Sequence, residues 1–259
     1  VAAGIHPNAL VDPGARIEAG VSIGPFSVIG AQVEIGTGSV IGPHVVIDGP
    51  TRIGRDNRIF QFASVGAAPQ DKKYAGEPTT LEIGNGNTIR EFVSIHRGTV
   101  QDGGTTRIGD DNLIMAYVHI AHDCTVGNHT VLANAASLAG HVRVDDYAIL
   151  GGFSLIHQFC QVGAHAFTSM GSIINRDVPP YVTVAGNFAE PRGINSEGLK
   201  RRGFDAARIT AIKRAYKTLY KSSLPLAEAR ARLALAADDA PDLRLLLDFI
   251  DRSERSLLR

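Results

Sequence analysis

Every sixth residue from Ile5 to Val65 is Val or Ile: Ile5, Val11, Ile17, Ile23, Ile29, Ile35, Ile41, Ile47, Ile53, Ile59 and Val65. An α-helix repeats near 3.6 residues and a flat strand near 2, so neither selects this period. A hexapeptide β-helix does: each side of its cross-section uses one hexad and turns the aliphatic residue inward. Three hexads close one coil, so residues about eighteen apart should stack vertically. The repeat does not set the hand of the coil, and parallel crossovers are in general nearly always right-handed.

Two breaks interrupt the repeat. Residues 66–82 are rich in Pro, Gly and charge, and the pattern resumes in phase at Ile83, Ile89 and Ile95. Residues 97–107 carry Gly103-Gly104 and read as a protruding loop. The repeat then returns one residue out of phase, from Ile108 through Val162, with Thr168 its first non-aliphatic member and Pro180 its end. Recovery after both breaks implies loops ejected from an intact coil of roughly nine turns. A mainly β architecture is therefore expected over residues 1–190.

After Pro179-Pro180 the composition changes, and residues 191–259 read as a small α-helical domain. Phe204–Ser222 is expected as a helix with Asp205 as N-cap, its apolar side holding Ile209, Ile212, Tyr216 and Leu219. Leu226–Ala237 is a second. Pro241 suits the first position of a third, with Leu243, Leu246, Leu247 and Ile250. So short a segment needs a surface to pack on, either the coil or a neighbouring subunit.

Charge and cysteine content narrow the function. Twenty-six basic residues balance twenty-six acidic ones, which removes the broad electrostatic case for nucleic acid. Cys124 and Cys160 are the two cysteines, too few and too far apart for a disulfide framework or a Cys-x-x-Cys zinc site, and they suit a reducing cytosol. No leader-like opening and no membrane-length apolar run is present, so a cytoplasmic protein without a membrane span is expected. The chain opens on Val1, which suggests a natural start slightly upstream.

Histidine is the informative residue. Six of nine lie between His96 and His157. The eighteen-residue rule puts His122, Gly140 and Gln158 in one column and Asp123, His141 and Phe159 in the next. With His119 and His157 alongside, a histidine patch is expected. It could be ordinary surface, a three-histidine zinc site, or a general base acting on a hydroxyl. His6, His44, His129 and His165 fall outside it and read as surface residues.

The segments His119-Ile120-Ala121-His122-Asp123-Cys124, Leu138-Ala139-Gly140-His141 and His157-Gln158-Phe159-Cys160 resemble the acyl-ACP–UDP-N-acetylglucosamine O-acyltransferase family of lipid A synthesis. So do the stretch from Gln70 to Thr79, Ile95 to Val100, and Gly198 to Phe204. The resemblance implies a left-handed parallel β-helix with a helical C-terminal domain, assembled as a homotrimer with active sites between subunits. It implies transfer of an R-3-hydroxyacyl group from acyl carrier protein to the 3-hydroxyl of UDP-N-acetylglucosamine. No metal or other cofactor is implied, because the carrier protein's phosphopantetheine arm delivers the acyl group.

By the same resemblance His122 is the general base and Gly140 the oxyanion donor through its N–H; Asp123, adjacent in the sequence, could stabilise the imidazolium. A direct Asp123–His122 contact requires a corner, because neighbours on a strand point to opposite faces. Gln70, Asp71 and Lys73 match residues holding the glucosamine and the acyl-pantetheine end. His119, His141, His157 and Gln158 match the nucleotide-sugar cleft, and Asn195, Glu197, Arg201 and Arg202 the C-terminal nucleotide site. The middle residue of Asn195-Ser196-Glu197 is less apolar than the family's. Met170 matches the position that measures the acyl groove, where a bulky side chain implies a medium chain, nearer hydroxydecanoyl than hydroxymyristoyl. Two other classes compete: a zinc lyase resembling the γ-class carbonic anhydrases, and a non-catalytic β-helix scaffold. The first lacks a use for Gln158, the loop after Val65 or the C-terminal basic run. The second would favour a regular flat face over loops and clustered histidine.

Overall fold

The computed structural model describes residues 4–259; the expectation attached to Val1 lies outside them. Strands of mostly two or three residues, separated by corners, stack into three parallel sheets. Among the described residues these hold eleven, nine and eight strands. The first face runs from Gly4–Ile5 to the hairpin at Ala189–Ile194, the second from Leu10–Val11 to Ile173–Ile174, the third from Arg16–Ile17 to Gln161–Val162. The six-residue repeat and parallel pairing are consistent with a left-handed β-helix. Its interior is a column of Ile, Val and Leu, from Ile23 through Val162 and Ile174.

Pairing registers explain the phase of the repeat. One coil takes eighteen residues, as in Ile41 opposite Ile59. Ile53 pairs with Ile83, thirty residues on, so twelve are ejected between Ala67 and Thr80. Twelve is two hexads, and the phase survives. Ile83 pairs with Ile108, twenty-five residues on, so the second loop ejects seven and the phase slips by one. Thr168 keeps an inward slot because its hydroxyl is paired with Ser154 Oγ at 2.7 Å.

The corners are built on left-handed residues. Phe62, Phe92, Tyr117 and Phe153 at one corner, and Asp123, His141 and Phe159 at the next, all have φ between 57° and 65°. Side chains at these positions stand one above another along the coil. Phe26, His44, Phe62, Phe92 and Tyr117 stack with ring centroids 4.8–5.3 Å apart. A second ladder, His129, Tyr147, His165 and Tyr181, runs up the third corner. His129 and His165 are thus half-buried ladder members rather than the plain surface residues expected.

Beyond Pro180 the chain forms an antiparallel hairpin, Val182–Gly186 with Ala189–Ile194, which no hexad announces. Four helices follow: α1 (Ser196–Arg201), α2 (Ala206–Lys221), α3 (Leu226–Ala236) and α4 (Asp242–Arg252). Asp205 caps α2 as expected, accepting from Arg208 N at 2.8 Å. Pro241 precedes α4 rather than opening it, a one-residue difference at a boundary where helices fray. The helices pack on the coil of their own chain. Asp177, fully buried, accepts from Ser253 Oγ and from the Gln161 N–H, and Leu258 joins the coil's core. Among the described residues no helix is long and apolar enough to cross a membrane.

Candidate active site

The segment from Ala121 to Cys124 is a corner between the second and third faces, bounded by the strands His119–Ile120 and Thr125–Val126. Asp123 takes φ 60° there, and this brings its carboxylate back beside the preceding side chain. His122 Nδ1 lies 2.8 Å from Asp123 Oδ2, with the two side chains 15% and 1% exposed. The corner therefore supplies the direct contact that strand alternation would forbid.

Asp123 is held from several sides. Its Oδ1 accepts from Thr99 N at 2.8 Å and its Oδ2 from Thr99 Oγ1 at 2.6 Å. Its own N–H donates to Thr106 Oγ1. A carboxylate this deep needs such donors, since an unpaired buried charge costs several kcal/mol. Thr99 and Thr106 were not singled out as site residues from sequence; both lie near the ends of the second loop, and Thr99 also falls within the Ile95–Val100 stretch that carries the resemblance.

The strand register carries the columns forward. Ile120, Leu138 and Ile156 are paired partners, so His122, Gly140 and Gln158 follow in line two residues on. Gly140 lies directly against the His122 ring. Its N–H donates to no described residue, as suits the leading position of a turn. His141 meets His122 edge to face at 5.1 Å and stacks on Phe159 at 4.4 Å. His119 Nδ1 pairs with Ser94 Oγ at 2.8 Å, and burial, then the charge of His122, lowers its pKa. His96, not among the candidate site residues, packs against His119; burial, then its neighbours His119, His122 and Arg97, push its imidazole down to about 4. His157 and Gln158 are exposed, with His157 Nδ1 3.1 Å from the Gln158 carbonyl.

The first ejected loop reaches this corner. Asp71 and Lys73 line a cleft of about 370 Å³ together with Thr99, His141 and Phe159. Asp71 Oδ1 accepts from the Lys73 N–H at 2.9 Å, and Lys73 and Gln70 are exposed. Two groups are not brought to the corner within this chain. Asn195 caps α1 by accepting from Gly198 N and donates to the His165 carbonyl. Glu197 pairs with Lys200 at 2.7 Å, Arg201 is exposed, and Arg202 sits over the Tyr147 ring at 4.5 Å, on the third-to-first corner. Met170, 77% exposed, is on the first-to-second corner, just past the strand Phe167–Thr168.

Chemically, a buried carboxylate fixed to one imidazole nitrogen leaves the other free to take a proton. His122, Asp123 and His141 also offer ligand atoms within 4.8 Å of one another, the convergence a metal reading would use. A cation there would compete with His122 Nδ1 and the Thr99 hydroxyl, both already on Asp123 Oδ2.

Residues 177–258 match the family model described as UDP N-acetylglucosamine O-acyltransferase, domain 2. Residues 14–49 and 105–140 match the bacterial transferase hexapeptide model of six repeats. The acyl-[acyl-carrier-protein]–UDP-N-acetylglucosamine O-acyltransferase of Halorhodospira halophila is 63% identical over 98% of this chain and 99% of its own length. That of Herminiimonas arsenicoxydans is 60% identical with the same coverage. The solved UDP-N-acetylglucosamine acyltransferase of Francisella novicida superposes with a TM-score of 0.97 at 44% identity, covering 99% of this chain and 94% of its own.

Proposed function

The chain belongs to the acyl-ACP–UDP-N-acetylglucosamine O-acyltransferases, the enzymes of the first step of lipid A biosynthesis, and on that premise we propose how it works and on what. An R-3-hydroxyacyl group passes from acyl carrier protein to the 3-hydroxyl of UDP-N-acetylglucosamine. A sugar hydroxyl is a poor nucleophile until a base takes its proton. His122 Nε2 is that base, and Asp123 holds the other ring nitrogen and balances the imidazolium as it forms. The hydroxyl oxygen attacks the thioester carbonyl, and the oxyanion meets the Gly140 N–H. Collapse breaks the C–S bond, and the phosphopantetheine thiolate leaves with the proton from His122. No further cofactor takes part.

The observation that carries this reading is the His122–Asp123 pair at 2.8 Å, its ring lying against Gly140. Gln70, Asp71 and Lys73 bind the glucosamine and pantetheine end, and His119, His141, His157 and Gln158 line the nucleotide-sugar cleft. Asn195, Glu197, Arg201 and Arg202 take the nucleotide, with Arg suited to its phosphates. Met170 limits the acyl chain to medium length.

The three groups occupy three different corners of one prism, so a complete site requires more than one copy. An assembly as homotrimer, with sites between subunits, meets that need. Support for self-association comes from the exposed first-to-second corner, where Phe26, Phe62, Phe92, Tyr117 and Phe153 are 45–63% exposed and Val28, Val46 and Leu155 continue the apolar surface onto the second face. An apolar strip of this extent marks an interaction surface. The buried free thiols of Cys124 and Cys160 suit the cytoplasm. Incubation with UDP-N-acetylglucosamine and a panel of 3-hydroxyacyl-ACPs, read by mass spectrometry, should yield 3-O-acylated sugar nucleotide. His122→Ala should almost abolish it; retained turnover would remove the base assignment.

A further inference from the structure

We propose that Thr99, at the inner end of the second ejected loop, is a positioning residue that sets the Asp123 carboxylate and through it the tautomer and angle of the His122 ring. The inference rests on His122 acting as the base.

Thr99 is 1% exposed and reaches Asp123 with both of its donors. The backbone N–H serves Oδ1 at 2.8 Å, and the hydroxyl serves Oδ2 at 2.6 Å. Oδ2 is also the oxygen that meets His122 Nδ1. Two donors on two oxygens fix the carboxylate plane, which a single hydrogen bond would leave free to rotate. A fixed plane gives the imidazole one acceptor in one direction, so Nδ1 carries the hydrogen and Nε2 is left bare for the substrate.

The surrounding loop is shaped to deliver Thr99 to this point. A Cβ on Gly98 would stand 2.3 Å from Thr105 N and 2.7 Å from Asp123 Oδ1, so only glycine lets the loop close over the carboxylate. Thr99 is extended, at φ −121° and ψ 154°, with a 3-10 turn at Val100–Asp102 directly after it. The Gly104 N–H donates back to the Thr99 carbonyl at 3.0 Å, closing the loop on itself. Arg97, two residues earlier, donates to the Gly66 carbonyl and to the Tyr74 hydroxyl, and so ties the loop bearing Asp71 and Lys73 to the same anchor. A seven-residue insertion that costs the repeat its phase thus holds the orienting carboxylate.

The test compares Thr99→Val with Thr99→Ser in the full-length assembled enzyme. Val keeps the shape and the backbone donor but loses the hydroxyl; Ser keeps both donors. The Val variant should lose about tenfold or more in kcat with KM within about twofold, and the Ser variant should stay near wild type. In imidazole 15N NMR of the unliganded enzyme, the hydrogen-bonded Nδ1–H signal of His122, assigned by its loss in His122→Ala, should shift in Val and not in Ser. Circular dichroism and melting confirm that the variants are folded. Wild-type kcat in Val, a loss that Ser shares, or a loss with an unmoved His122 signal would each overturn the proposal. Should His122→Ala itself remain active, the base reading fails and the kinetic half of this inference with it, while the spectroscopic half is still decided by Val against Ser.

Discussion

Gly140 and His122 share one volume across a single coil: a Cβ at residue 140 would stand 2.5 Å from His122 Cε1 and 2.7 Å from its Nε2. The His122 ring is therefore seated on a residue that has no side chain, one coil above it.

Gly140→Ala follows directly. The added methyl drives the ring off its seat and strains its bond to Asp123. Misplacing a reacting group by about 1 Å can cost on the order of a hundredfold in rate. Turnover should fall by about that factor, while the melting temperature changes little, because the ring can swing toward the cleft. Steady-state kinetics beside a thermal melt would check this. A variant with wild-type turnover would mean that the ring's position is not what sets the rate.

Stability should depend on pH through two histidines other than His122. His96 and His165 are both pushed down to about 4, chiefly by burial, with Arg202 adding to the effect at His165. An unfolded histidine titrates near 6.5. Between about 6.5 and 4 the unfolded chain takes up protons that the folded chain refuses. The stabilising contribution is thus complete above about pH 6.5 and is lost as pH falls toward 4. Melting temperature should climb over that window and then level off. His165→Phe, which keeps the ring stack with Tyr147 and Tyr181, should flatten the slope; an unchanged slope would contradict the assignment.

The coil was legible because a period of six is a strong signal, and stacking arithmetic then placed His122, Gly140 and Gln158 in one line. The same arithmetic could not find Thr99 or Thr106, since they reach Asp123 from a loop that leaves the repeat. Nor could it find the hairpin at Val182–Gly186 and Ala189–Ile194, whose pairing is antiparallel and local. The His122–Asp123 contact needed knowledge of a left-handed φ at residue 123, which period alone does not supply. His165 read as surface because its ladder partners lie eighteen and sixteen residues away, the second interval being off the repeat.

The exposed aromatic corner makes assembly testable. Phe92 is 45% exposed and stacks between Phe62 and Tyr117 at 5.1 and 4.8 Å. Phe92→Asp would place a charge in the middle of that strip without touching the aliphatic column inside. Sedimentation should show wild-type trimer and a variant shifted toward monomer, with circular dichroism retained and turnover lost. A wild-type protein that sediments as a monomer would remove the trimer reading.

Met170 tests substrate length and assembly together. At 77% exposed it has no enclosing wall within its own chain. Nor does it share a corner with His122, since the whole width of the second face separates the Ser169–Gly171 turn from the Ala121–Cys124 turn. A side chain so placed can limit an acyl groove only where a neighbouring subunit faces it. If it does, a long flexible thioether blocks the groove's end, and removing it lengthens the groove by several methylenes. Each methylene then buried is worth about 0.8 kcal/mol, or roughly fourfold in kcat/KM. Wild type should prefer a hydroxydecanoyl donor, and Met170→Gly should move the optimum toward hydroxymyristoyl while kcat on the short donor changes little. A wild type that already prefers the longest donor, unaltered by Met170→Gly, would leave Met170 as surface packing with no part in selecting the chain.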